Sequence, residues 1–275
     1  MSYPISYTTS DLIGAGRVVC ICEYDGTDYH GWQAQKSGLP TVQLQLESAL
    51  SVVANEKLDI VCAGRTDGSV HACHQVIHFD TSVVRNLHSW VFGVNTNLPD
   101  DIAVHWFDNI DSEFSARFSA TSRTYRYFIY NGPIKPAVHD KRITWCYKPL
   151  NTELMHEAAQ CLVGENDFSS FRAADCQSNT PFRNVEFIKV ERRGLLVEIE
   201  IKANAFLHHM VRNIAGVLMS VGAGEQPATW VQEVLAARDR RQGGVTAKPF
   251  GLYLVGVDYP EKYRIPQLPI TPFFM

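Results

Sequence analysis

Two apolar runs, Leu58 to Ala63 and Val70 to Phe79, stand on either side of Gly64-Arg65-Thr66-Asp67-Gly68-Ser69. Apolar runs this short, joined by a brief polar segment with glycine, predict strand–loop–strand and commit this part of the chain to a sheet. Taken alone, Asp67-Gly68 is an ordinary hairpin dipeptide. Charge carried on a loop between rigid strands is also where chemistry tends to sit. The surrounding chain has to separate the two readings.

After a loose lead-in over residues 1–16, Arg17 to Glu23 reads as a first strand. A polar, aromatic and glycine-containing loop follows, Tyr24 to Gln33, and loops of that length are often functional. Pro40-Thr41 opens a helix with Thr41 as N-cap and Val42, Leu44, Leu46, Ala49, Leu50 and Val53 as its apolar stripe. Beyond the two strands, a helix over residues 84–96 closes at Asn97-Leu98-Pro99, and Ile102 to Phe107 is a strand. The order β-α-β-β-α-β over residues 17–109 is the split βαβ, ferredoxin-like pattern.

The second half carries a similar string. Strands are predicted over residues 122–130, 185–191, 195–201 and 251–257, and helices over 152–162, 205–221 and 227–237. A long polar connection spans residues 165–183. At 275 residues the length suggests about two domains. The expected fold class is therefore α+β, two ferredoxin-like domains side by side, with boundaries at 1–115 and 116–275.

Composition removes several functions. The formal charge is −4, from 25 basic and 29 acidic residues, so an RNA partner requires basic side chains gathered locally. The arginines are uneven: Arg117, Arg123 and Arg126 fall together, as do Arg172 and Arg183. Seven cysteines without a CxxC pair fit a reducing compartment. Met1 to Ser10 has no basic segment leading into an apolar core, and no run approaches ~18 apolar residues. The expectation is a cytoplasmic protein without a membrane span. There is no GxSxG, no GxxxxGK[ST] and no GxGxxG between strand and helix, which removes serine hydrolases and nucleotide-dependent enzymes. A metal hydrolase using His71, His74 and His78 is a third-ranked alternative. Their spacing lacks HExxH, and adjacent His208 and His209 point to different sides of a helix.

Asp67 remains. A carboxylate can act as nucleophile or base when it stays ionised, and in a closed pocket that requires a cationic neighbour. Arg212, inside the apolar 205–221 segment, is a candidate because a buried arginine needs a partner. A solvated helix edge is the plain alternative. Tyr125, between Arg123 and Arg126, fits sheet packing or the stacking of an RNA base.

Gly64-Arg65-Thr66-Asp67 with Val70-His71-Ala72 resembles the catalytic motif of the TruA family of tRNA pseudouridine synthases. Further blocks resemble it in the same order: Tyr24-Asp25-Gly26-Thr27 with Gly31-Trp32-Gln33, Phe118-Ser119-Ala120 with Arg123-Thr124-Tyr125, and Asp167 to Arg172 with Arg183-Asn184-Val185. Phe206-Leu207-His208-His209-Met210-Val211-Arg212-Asn213 and Gly251-Leu252-Tyr253-Leu254 complete the set.

The resemblance implies two α+β domains around a basic cleft, a homodimer, and conversion of uridine to pseudouridine in the tRNA anticodon arm, at positions 38 to 40. It implies Asp67 as the catalytic carboxylate, Arg212 as its ion-pair partner, Tyr125 packed on the target base, and Arg65 displacing the base or holding RNA. Arg172 and Arg183 are expected to bind substrate. The chemistry needs no cofactor and no metal. A catalytically idle tRNA-binding or RNA-chaperone protein on the same fold is the alternative.

One departure stands out. The family pattern is Asp-x-Gly-Val-His, and this chain has Asp67-Gly68-Ser69-Val70-His71. If the second loop position needs a positive φ, Ser69 carries a steric cost that glycine would not.

Overall fold

A computed structural model describes residues 10–35, 38–174 and 176–272. It is a mixed α/β structure, and its contacts divide the chain into two compact units. Unit 1 runs to Thr121 and takes the chain back from Leu254 onward, while unit 2 is the continuous stretch Ser122–Tyr253. The final segment thus groups with the N-terminal unit, although it lies within the 116–275 stretch of the sequence reading.

Unit 1 follows the order β1 (Leu12–Tyr24), α1 (Val42–Ala54), β2 (Val61–Cys62), β3 (His71–Asn86), α2 (Leu87–Asn97), β4 (Ile102–Asn109). The sheet order is β4-β1-β3, with β2 antiparallel to β3 and β10 (Leu252–Asp258) also beside β3. β1 is central and buried on both faces: Val18, Val19, Cys20, Ile21 and Cys22 are wholly inaccessible. That explains an apolar run where a half-exposed strand would alternate. α1 buries Val42, Leu46, Ala49, Leu50 and Ala54, a helical spacing. The valine and leucines among them contribute about 1.5–3 kcal/mol each on burial. Thr41 precedes α1 in extended backbone but makes no capping hydrogen bond, so the expected cap is not formed by its side chain.

Three expectations in unit 1 are corrected. β1 begins at Leu12 within the predicted lead-in, because Leu12 to Gly14 pair with Val84 to Asn86. For the same reason residues 84–86 are strand, and α2 starts at Leu87, capped by the Asn86 side chain accepting from Ser89 N. Only Val61–Cys62 of the 58–63 run forms a ladder.

Unit 2 contains β5 (Ser122–Asn131), β6 (Thr144–Cys146), α3 (Thr152–Ala159), β7 (Gly164–Asp167), β8 (Phe182–Arg193), β9 (Leu196–Ala203), α4 (Met210–Gly222) and α5 (Trp230–Ala237). Its strands run β5-β9-β8-β7, antiparallel, with short β6 parallel to β5. α3 packs on β8 and α4. β7 arises inside the expected polar connection. Gly164 to Asp167 contains no apolar side chain, so no periodicity marks it, and it forms by pairing with Phe182 to Val185. α4 starts at Met210, not at 205, because His209 sits at φ 62, outside the helical region.

The buried histidines of β3 give a pH prediction. His74 is inaccessible on a sheet face, and burial lowers its pKa to about 4, against a smaller opposing pull from Asp258. An unfolded histidine titrates near 6.5, so between those values the unfolded chain binds the extra proton. Stability contributed by neutral His74 is whole above about pH 6.5 and is lost as pH falls toward 4. Denaturation at pH 5 is expected to show about 2 kcal/mol less stability than at pH 7 from this residue. His74→Phe should flatten that difference.

Candidate active site

The Asp67 loop is braced by a set of hydrogen bonds within unit 1. Ala63 N donates to Val76 O at 2.8 Å, which closes the base of the loop. Gln75, fully buried on β3, extends that ladder with a side chain: its Nε2 donates to Gly64 O at 2.6 Å and its Oε1 accepts from Gly64 N at 3.3 Å. Gln75 Nε2 also reaches Tyr24 OH at 3.4 Å, and Tyr24 OH pairs with Thr66 Oγ1 at 2.8 Å. Burial pushes the Tyr24 phenol well above its ordinary pKa, so it keeps its proton. Thr66 O accepts from Trp32 N at 3.0 Å, and the Trp32 ring lies 5.8 Å from that of Tyr24. The crown is closed by Val70 N donating to Asp67 O at 3.2 Å.

Ser69 resolves the departure noted above. Its φ is +61, so the family's glycine position is left-handed here and a serine occupies it. The conformation costs about 1 kcal/mol for a residue with a Cβ. Two bonds hold it: Ser69 N to Tyr29 O at 3.2 Å and Ser69 Oγ to Thr27 O at 3.3 Å. Gly68, one place earlier, does not have a positive φ, and a Cβ there would meet its nearest neighbour, Tyr29 O, at 3.6 Å. The glycine of this loop thus stands in the position that does not need it.

The Tyr24–Thr27 segment locks the far side. Gly26 N donates to His71 Nδ1 at 3.0 Å, and Asp25 Oδ1 lies 3.0 Å from the same nitrogen. Neutral Nδ1 accepts from Gly26, and protonated Nδ1 donates to Asp25 instead. Burial would raise the Asp25 pKa, but hydrogen bonds from His71 and Thr27 outweigh it and hold the carboxyl well below the usual range. A Cβ on Gly26 would stand 2.0 Å from Val70 O. Only glycine fits there.

Asp67 is half-buried and Arg65 is exposed on this loop. The three β3 histidines do not converge. His74 and His78 are four strand residues, about 13 Å, apart, and no group able to hold a metal among the described residues includes any of the three. His78 Nδ1 accepts from Ala116 N at 3.0 Å. The His208 and His209 rings lie 4.0 Å apart, so the prediction that a helix turns them to different sides is corrected.

In unit 2, Tyr125 lies on β5, nearly buried, edge-on to Phe206 with ring centres 5.0 Å apart. Its neighbour Arg126 points to the other strand face and pairs with Glu198 and Glu200, each at 3.1 Å. Arg212 is half-buried in the first turn of α4. Its Nε donates to Ala247 O at 2.9 Å and its carbonyl accepts from Ala247 N at 3.1 Å. The strap carrying Ala247 is fixed by Arg240, which donates to Asn213 Oδ1, Gly244 O and Thr246 Oγ1 at 2.9–3.1 Å. Arg172 donates to Cys176 O at 3.0 Å, and Arg183, buried, bonds to Thr180 O, Phe182 O and Ser178 Oγ. Arg183 thus braces its own loop.

A family model described as tRNA pseudouridine synthase matches residues 21–119 and 158–260. This chain belongs to the tRNA pseudouridine synthase family. The enzyme named tRNA pseudouridine synthase A from Citrobacter koseri is 56% identical over 253 residues, covering 92% of this chain and 93% of its own length. Those of the same name from Shigella boydii serotype 4 and Actinobacillus succinogenes are each 57% identical, over 93% and 96% of their lengths. Both braces, the Gln75 pair and the Arg240 strap, lie inside the matched ranges.

Gln75 escapes a sequence reading because one glutamine in an apolar run looks like an ordinary strand residue. Gln75→Leu leaves the half-buried Gly64 N–H and C=O without their side-chain partner. A loss of about 1–3 kcal/mol in denaturant unfolding is expected, with the urea slope unchanged.

Proposed function

We propose that this chain isomerises uridine to pseudouridine in the anticodon stem-loop of tRNA, at positions 38, 39 and 40, as a cytoplasmic homodimer without metal or cofactor. The supporting observation is membership of a tRNA pseudouridine synthase family at 56% identity over 92% of the chain. The rigid loop that presents the half-buried Asp67 agrees with it.

In this reaction the C1′–N1 bond breaks, the uracil turns, and C5 bonds to C1′. The C5 proton passes to solvent and N1 regains one. Bond cleavage builds positive charge at C1′, which a carboxylate stabilises as in glycoside hydrolysis. Asp67 takes that role in our reading, as the nucleophile. In the same reading Arg212 is its ion-pair partner. A target base in a stem or loop must be turned out of its stack, and Arg65 assists that displacement. Tyr125 packs on the released uracil so that it turns in place. Arg172 and Arg183, each hydrogen-bonded within the stretch that leads into β8, are substrate-binding residues in this reading.

Tritium release from tRNA carrying [5-³H]uridine tests the reading. The wild-type protein is expected to release tritium from the anticodon arm. Binding of tRNA without release would favour an idle tRNA-binding protein on the same fold.

A further inference from the structure

The turn Ser115–Ser119, between β4 and β5, is pinned from several directions and yet holds a bare aromatic ring in water. Phe114 beneath it is fully buried, with the Tyr259 and Tyr263 rings 5.2 and 4.9 Å away. Ala116 donates to His78 Nδ1 at 3.0 Å and accepts from Tyr259 OH at 2.7 Å. Arg17 donates to Ser112 O and Phe114 O at 2.6 and 2.7 Å. Within the turn, Ser119 N donates to Ser115 O at 2.9 Å, Ser115 N to Ser119 Oγ at 3.0 Å, and Phe118 N to Ser115 Oγ at 3.3 Å.

At the crown Phe118 is 81% exposed, and the Arg117 guanidinium lies 5.2 Å from its ring centre. A loose loop can fold an apolar side chain back onto the surface. A turn held this way cannot do so cheaply, and the ring stays out. The other large hydrophobic side chains as exposed as this among the described residues, Val138 and Val245, are aliphatic and have no stacking face. A flat ring with a cation beside it matches a nucleobase attached to a phosphate chain.

We propose that Phe118, with Arg117 beside it, is a stacking platform for an unpaired base of the tRNA. The proposal rests on tRNA being the substrate. Every base has a π-face, so such a platform adds affinity without reading sequence.

The test compares binding of unmodified tRNA by wild type, Phe118→Ala, Phe118→Leu and Phe118→Tyr over a salt series. Phe118→Ala is expected to weaken binding about tenfold, with the melting temperature and the salt slope unchanged. Phe118→Tyr should bind like wild type, and Phe118→Leu like Phe118→Ala. A fully paired RNA duplex should not distinguish the four. Equal affinity of Phe118→Ala and wild type overturns the proposal. So does wild-type affinity in Phe118→Leu, which would mean an apolar contact without stacking. A change of oligomeric state in Phe118→Ala also overturns it, since the ring would then meet a second copy of the chain. Failure of wild type to bind tRNA at all would instead overturn the substrate reading.

Discussion

Asp67→Asn is expected to abolish tritium release from [5-³H]uridine-labelled tRNA while tRNA binding persists. The substitution is isosteric, and the bonds that shape this loop run through Gly64, Thr66, Ser69, Val70 and the backbone carbonyl of Asp67. An asparagine keeps the shape of the side chain and removes its negative charge. A neutral amide neither attacks carbon nor offsets charge at C1′, so a fall of about 10⁴-fold or more in rate is expected, the scale of losing a catalytic nucleophile. Equal release by both proteins would sink Asp67 as the catalytic group. A parallel loss of binding would assign it to holding RNA.

Gly26→Ala should carry a large effect for a single methyl group beside the Asp67 loop. Its Cβ would lie 2.0 Å from Val70 O, so either the segment after β1 or the end of the Asp67 loop where β3 begins must shift. Forcing atoms into a packed region costs about 1–3 kcal/mol. The displaced strand end carries the loop with it, and a misplacement of about 1 Å lowers turnover on the order of 10²-fold. Gly68→Ala supplies the contrast. That position has room and no positive φ, so its stability should stay within about 0.5 kcal/mol of wild type. If the two variants behave alike, loop geometry does not control turnover.

The sequence exposes some of this directly and hides the rest for physical reasons. Long periodic elements such as α1 and the core of β1 follow from their apolar patterns. The Asp67 loop is legible because charge and glycine interrupt two apolar runs. Ser69 stands out only against a family pattern, and its positive φ is as that pattern suggests. β7 is illegible because Gly164 to Asp167 is polar and exists only through its partner strand. The start of α2 is missed because Val84 and Arg85 suit either element until β1 claims them. Gln75 and Arg240 work through backbone atoms of distant residues, which no local pattern encodes. Phe118 looks like a core residue in sequence, and only the pinned turn shows that it is not.

The return of the C-terminal segment to unit 1 has a consequence for how the protein is made. β3 is flanked by β10, yet everything from Ser122 to Tyr253 must leave the ribosome before Leu254 does. At typical rates of synthesis that delay is on the order of ten seconds. Meanwhile the N-terminal unit has an open strand edge, and unit 2 is contiguous and can close first. Nascent chains arrested before Leu254 should therefore be cut by protease in the N-terminal unit at sites that full-length chains protect. The part bearing Asp67 is the first to be translated and the last to be completed.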